Sequence, residues 1–466
     1  MKNSFNTVDL MLSKPVGPLI IKNAIPTIII MMVSAIYNTA DTFFVSQLGT
    51  SASGAVGVVF SLMTLIQAGG FLIGMGSGSI LSRALGSGDI KKAQTLVSTA
   101  IVTVFSLGIV FSVFGTIFNV QLVRGLGATQ TILPYAIDYA RYIILGCPFM
   151  MASFAMNNLL RFEGKASLSM FGMVSGGVLN MLLDPLFIFV FKMGISGAAI
   201  ATLLSQIASF IILFSIHAFN KSVVNFNLKA VSKKLSVYAD IVTTGLPSLF
   251  RQGSTSVSNI FMNMGAAKYG ALMVGFALTS AQTADAAVAG MSISNKICQL
   301  IMSVAIGLGQ GFQPVCGINL GAKKYDRVKS SISFLIKIIT ACMFVLGLVV
   351  FIFAPQIART FRDDEAVIKV ASLALRMSCC ILPFHSLIFG TSMLLQTAGA
   401  KVSATVLSSL RQGIVFIPLI FILPYACTLF GAPPIYGIML TPALSDLISA
   451  FIMMPYLIKY VKKLGK

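Results

Sequence analysis

Apolar runs of about 20 residues recur along the chain, parted by short polar segments, and none of them alternates with the period of two expected of a lipid-facing barrel strand. Each run matches the roughly 30 Å of hydrocarbon that a helix rising about 1.5 Å per residue must cross. Backbone N–H and C=O groups find no partner in lipid, so runs of this length imply helices with their hydrogen bonds internal. The pattern predicts an all-α polytopic membrane protein with twelve transmembrane helices, near 18–44, 53–80, 95–118, 132–157, 168–190, 196–217, 240–267, 284–314, 331–354, 367–393, 403–424 and 434–458.

The polar segments carry a second pattern. The longest, 219–239, divides the spans six and six, and the second half of the chain repeats features of the first. Ile25-Pro26 opens the first span and Leu246-Pro247 the seventh, 221 residues later. Leu85-Gly86 recurs as Leu320-Gly321 and Leu159-Leu160 as Leu394-Leu395, both at 235, which places about 14 extra residues in the external loop before the eighth span. Residues 1–218 therefore read as an N-terminal six-helix lobe, 219–239 as a cytoplasmic linker and 240–466 as a C-terminal six-helix lobe, two pseudo-symmetric bundles. An even number of spans per half makes the repeats parallel. Such bundles commonly hold a substrate cavity between the halves and switch access by rocking.

Composition agrees, with 56% of residues hydrophobic and 10% charged. In a soluble chain a net charge of +20 would point to nucleic acid, but here the basic residues mark topology. Of the 33, 21 fall on the side of the termini, among them Arg161, Lys165, Lys401 and Arg411. The opposite loops hold Arg124, Lys192, Lys268, Arg359 and Arg362. The expectation is a multi-pass protein of the cytoplasmic (inner or plasma) membrane with both termini in the cytoplasm, and no nucleic-acid partner. The first apolar run has no small-residue cleavage site and is read as a span, not a removed signal. Seven cysteines without C-x-x-C spacing support neither a zinc site nor a disulfide framework. Gly74, Gly76 and Gly78 lack the strand and the Lys-Ser/Thr of a phosphate loop and read as close-packing positions.

Of the 13 acidic residues, most are accounted for by loops or termini; Asp41, Asp184 and Asp446 are not. A charged side chain at the bilayer centre costs about 2.5 kcal/mol or more, so each is a candidate functional residue. Asp41 and Asp184 each lie eight residues before an outer loop, at about 12 Å depth. Asn180 shares a helix face with Asp184, and Tyr139 and Thr202 reach similar depth on descending spans. Such a set suits a hard cation such as Na⁺, held by Asp41, Asn180, Asp184 and Thr202, or a protonatable pocket; the bland alternative is a structural network. In the C-terminal half Arg251, Lys296 and Asp446 fall near mid-span and are expected to form a polar network with Asp446 as counter-ion, for structure or for substrate. Pro26 removes a backbone donor from the first span and is a candidate hinge, with a fixed kink as the alternative.

Pro26, Asp41-Thr42, Gln47-Leu48-Gly49, Arg83 through Asp89, Asn180 and Asp184-Pro185, in this order and within repeated halves, resemble the multidrug and toxic compound extrusion (MATE) family, in its bacterial and archaeal form. The resemblance covers nearly the whole chain. It implies export of cationic or amphipathic small molecules by antiport against Na⁺ or H⁺ from a V-shaped cavity, without a cofactor and as a monomer. It also implies a coupling site at the positions of Asp41, Tyr139, Asn180, Asp184 and Thr202, and bending of the first helix near Pro26. The acidic C-lobe site of some members has no match here. Two rivals remain: a lipid-linked oligosaccharide flippase of the wider superfamily, for which Arg251 and Lys296 would bind pyrophosphate, and a polytopic enzyme, for which the only histidines, His217 and His385, form no recognised motif.

Overall fold

The computed structural model describes residues 2–219, 222–270 and 280–465, and among them there are helices and no strands. A short leading helix, α1 (Lys2–Ser13), precedes α2 (Val16–Ser46), α3 (Thr50–Gly86), α4 (Ile90–Ile117), the short α5 (Asn119–Gly125), α6 (Leu133–Phe162), α7 (Ala166–Pro185) and α8 (Gly194–Ala218). The second half comprises α9 (Leu235–Gly270), α10 (Ser280–Gly321), α11 (Tyr325–Phe361), α12 (Glu365–Cys379), α13 (His385–Ala398), α14 (Lys401–Ser409), α15 (Phe416–Leu429) and α16 (Pro434–Lys463). Among the described residues ten helical stretches are long and apolar enough to cross a bilayer, α14 and α15 counting as one, and the bent pair of α12 and α13, broken by 45°, supplies an eleventh. The remaining long helix is α9, 36 residues, which is long enough to span but whose Arg251, Gln252 and many Ser and Thr lower its hydropathy.

Local chemistry sets the helix ends. Asp89 accepts from Lys92 N (2.9 Å) to start α4, and Asp364 accepts from Ala366 N (3.0 Å) and Val367 N (3.3 Å) to start α12. The repeat is visible in the backbone. Gly164 after α6 has φ +80° and Gly399 after α13, 235 residues on, has φ +83°, the left-handed conformation that ends a helix without a Cβ clash. The carbonyls that end α1 are met by cations: Arg327 Nη2 donates to Met11 O (3.1 Å) and Lys14 O, and Lys324 Nζ to Leu12 O (3.1 Å).

Two compact units emerge. The first comprises Met1–Leu249, Gln310–Val328 and Gln396–Lys401; the second Phe250–Gly309, Lys329–Leu395 and Val402–Lys466. These boundaries differ from the lobes drawn from the repeat, because the ends of α9, α10 and α13 pack with the first unit although they belong to the second half by sequence. The segment drawn as a linker also packs there, its Asn227 N and Ser232 N donating to Ser98 Oγ (3.0 Å) and Thr99 Oγ1 (2.9 Å) of α4.

In the first unit small residues bring backbones together. A Cβ on Gly74 would lie 2.8 Å from Ala155 Cα of α6, and one on Gly76 2.0 Å from Ile241 O of α9, so this glycine run is a packing surface. Arg161, expected in a loop, is instead the buried last turn of α6, donating to Gln310 O (3.0 Å), Gln313 Oε1 (3.2 Å) and Asn158 Oδ1 (2.5 Å). The α2 helix passes through Pro26 without a break. The second unit is built on an apolar cluster that includes Met262, Met291, Ala374, Phe416, Ile420 and Ile438.

Candidate cation site

Four helices of the first unit deliver the oxygen-rich layer. Asp41 is near the end of α2, Tyr139 in the second turn of α6, Asn180 and Asp184 one turn apart on α7, and Thr202 in α8. The approach of α7 to α8 is set by Gly176, where a Cβ would lie 2.9 Å from Ser205 O, and this closeness lets the Asn180 amide reach Thr202. After Asp184 comes Pro185, which has no N–H to give, and the helix continues as a π turn over Leu186–Val190.

The five side chains form one connected group. Tyr139 Oη donates to Asp41 Oδ2 (3.1 Å), and Asn180 Nδ2 donates to both Asp184 Oδ1 (3.3 Å) and Thr202 Oγ1 (3.2 Å). The Tyr139 and Thr202 hydroxyls also interact, and the charges of Asp41 and Asp184 act on each other. All five are buried, Asp184 fully and Asp41 to 7% exposure. Yet Asp41 Oδ1, Asn180 Oδ1 and Asp184 Oδ2 have no hydrogen-bond partner among the described residues. Unsatisfied buried oxygens are rare in folded proteins, and three on one connected group of side chains fit a bound proton or a hard cation. Beside Asn180 and Thr202 a cavity of about 10 Å³, lined also by Tyr37, Ser205, Gln206 and Ser209, has room for about one water molecule. Tyr37, one turn before Asp41 and near enough to feel its charge, is not signalled by sequence depth alone.

The second unit holds a different polar network from the one expected. Asp446 of α16 does not pair with Arg251 or Lys296; its Oδ1 accepts from Arg411 Nε (2.7 Å) and its Oδ2 lies 2.9 Å from His385 Nε2. Lys296 is exposed. Arg411, which the charge pattern assigns to a loop, sits instead in a π turn, Leu410–Ile414, between α14 and α15. Such a turn loosens the carbonyl ladder, and here Ser445 Oγ donates to Arg411 O (2.6 Å), holding the turn in place. Its guanidinium also lies over Phe389, 5.7 Å from the ring centroid. The sequence does carry a signal for Arg411: a charge eight residues inside an apolar run.

The repeat offsets expose an asymmetry. The positions matching Asp41 and Tyr139 are Met262 and Ala374, and those matching Asp184 and Asn180, Leu419 and Val415, adjoin Ile420 and Phe416. The second half thus has its apolar cluster where the first has its oxygens.

Twelve spans in two repeats with buried carboxylates inside the bundle define a polytopic membrane transporter. The family model described as MatE matches twice, over 26–186 and 260–422, and the chain belongs to the MatE family. This is a family of transporters, not enzymes, and its members need no cofactor. Among relatives, the chain is similar to the multidrug export protein MepA of Staphylococcus aureus (strain MRSA252), 26% identical over 410 residues, 88% of this chain and 87% of that protein. Solved structures of MATE in the bent and in the straight conformation are each 25% identical with a TM-score of 0.88, covering 98% of both chains.

Proposed function

We propose that this protein is a cation-coupled antiporter, driven by H⁺ or Na⁺, that exports cationic or amphipathic drugs and toxic compounds across the cytoplasmic membrane as a monomer with both termini inside. The observation that carries the reading is the convergence of Asp41 and Asp184 from separate helices, with Asp41 Oδ1, Asn180 Oδ1 and Asp184 Oδ2 left without partners among the described residues. The naming of the MepA relative as a multidrug export protein supports the substrate class.

Without a bound cation the two carboxylates repel across a buried site, and a state that admits water is favoured. A proton or Na⁺ entering from outside removes that repulsion, drawing α2 toward α7. A ligand shifts such an equilibrium only by its difference in affinity for the two states, so the site must be better formed in one conformation than in the other. The Pro26 turn, lacking one backbone hydrogen bond, is the softest place in α2 for that movement.

Purified protein in liposomes, loaded with an ethidium-type dye and given separate pH and sodium gradients, tests the proposal. One imposed gradient should drive dye transport, and Asp41→Asn and Asp184→Asn should abolish the driven component. Undiminished gradient-driven transport by both variants would overturn the site.

A further inference from the structure

All 13 carboxylate residues of the chain lie among the described residues. Arg251 of the second unit nevertheless takes part in no ion pair among them. Its Nη1 is buried without a hydrogen-bond partner among the described residues, although the residue as a whole is partly exposed. It sits 16 residues into α9, or about 24 Å along the helix. From there the side chain cannot snorkel to an interface as a terminal arginine does.

The neighbouring charges do not neutralise it. Thr255, one turn on, donates to Arg251 O (2.8 Å) and is hydrogen-bonded to Gln412, the residue after Arg411. Ser258 of the same helix is bonded to the Gln412 carbonyl. The Arg411 guanidinium is consequently close enough for its charge to act against Arg251. The one carboxylate of the group, Asp446, has both oxygens engaged, by Arg411 and His385. Arg411 thus takes the one carboxylate, and the positive charge of Arg251 within the span is left over. A guanidinium held within a span costs free energy unless an anion meets it. Its planar fork of donors fits a carboxylate or a phosphate, two oxygens at a time.

We infer that Arg251, supported by the Arg411–Asp446–His385 network, forms an anion subsite that receives the carboxylate or phosphate of an acidic or zwitterionic amphipathic molecule. Asp446 cancels the charge of Arg411 and Phe389 steadies its plane, so Arg251 is the group that recognises the anion. The inference rests on the export reading for treating that molecule as a substrate. The exposed Lys296 is outside the subsite.

The test is equilibrium binding of rhodamine B, which has a free carboxylate, and of its ethyl ester, to purified protein in detergent, measured by fluorescence anisotropy. Wild type should prefer the acid. Arg251→Gln should lose about ten-fold or more in affinity for rhodamine B, or about 1.4 kcal/mol, while binding the ester as wild type does. Arg251→Lys should recover part of the preference. Retained ester binding reports an intact fold, and an acid-to-ester ratio unchanged in both variants would overturn the subsite. Because no gradient is applied, a failure of cation coupling would appear in the liposome assay and not here. Lysophosphatidylglycerol and lysophosphatidylcholine separate the sources. Displacement of rhodamine B by either lysolipid, lost in Arg251→Gln, would identify a lipid phosphate as an occupant; acid preference with no displacement by either would identify the acid group of a small molecule.

Discussion

Gly86 and Gly321, equivalent positions of the two repeats, pack reciprocally: a Cβ on Gly86 would lie 1.9 Å from Ile318 O, and one on Gly321 2.0 Å from Arg83 O. The same exchange recurs deeper. A Cβ on Gly76 would lie 2.0 Å from Ile241 O, and one on its equivalent Gly311 2.7 Å from Ile20 O, the equivalent of Ile241. Because the obstructing atoms are backbone, they cannot swing aside. Gly76→Ala and Gly311→Ala should each destabilise the protein by about 1 to 3 kcal/mol, the usual scale of overpacking. The chain has seven cysteines, several of them buried, so thermal melting with a thiol-reactive dye reads this directly as a lowered midpoint. Unchanged midpoints would show that the helices separate freely here.

Tyr139 is the donor to Asp41, and Tyr139→Phe removes that bond while keeping the ring. A hydrogen bond to a charged group contributes about 1.5 to 3 kcal/mol. The proton concentration giving half-maximal dye transport should fall by about ten-fold or more, because the ionised carboxylate loses the donor that stabilised it, with maximal transport less affected. An unchanged concentration dependence would remove Tyr139 from the site.

Thr202 accepts from Asn180, which also holds Asp184. Thr202→Val should therefore weaken coupling, and Thr202→Ser, which keeps the oxygen, should restore it. Equal transport by the two variants would reduce Thr202 to a packing residue.

In the second unit, Arg411→Met leaves Asp446 with His385 alone and should destabilise by about 3 to 5 kcal/mol, the range for breaking a buried pair. The double variant Arg411→Met with Asp446→Leu should be less damaged than Arg411→Met. Melting midpoints of the four-member cycle measure the coupling, and additive effects would mean the pair contributes nothing.

Glu163, just beyond the end of α6, accepts from Ser222 Oγ (2.5 Å) and Val223 N (2.8 Å). Burial pushes its carboxyl from an ordinary 4.5 up to about 7, against those hydrogen bonds and the charge of Lys165. The folded protein therefore keeps a proton that the unfolded chain releases. This contribution to stability is complete below pH about 4.5 and is lost as pH rises through about 7. Glu163→Gln should flatten that part of the profile of melting midpoint against pH. A profile identical to wild type would place the titration elsewhere.

Much of this is legible in the sequence because lipid enforces simple rules. Spans of the right length and the Gly86/Gly321 echo each reflect one constraint, and Asp41, Tyr139, Asn180, Asp184 and Thr202 can be grouped by depth alone. Depth says nothing about rotation around a helix axis, which is why it matches Asp446 with Arg251 and Lys296 when its partners are Arg411 and His385. Arg411 is misplaced because a charge near a span's start reads like a loop residue until the π turn of Leu410–Ile414 is seen to hold it inward. Unit boundaries escape for a similar reason: covalent order does not reveal that Gln310–Val328 packs with the first half.

The placement of oxygens in one repeat and of Met262, Ala374 and their neighbours in the other has a consequence for how the machine can be driven. A duplicated scaffold with identical halves would answer a cation twice, with two stages to synchronise. Here one copy holds the buried oxygens and the other an apolar cluster at the matching positions, so under the proposed coupling a single arriving charge would have a single place to act.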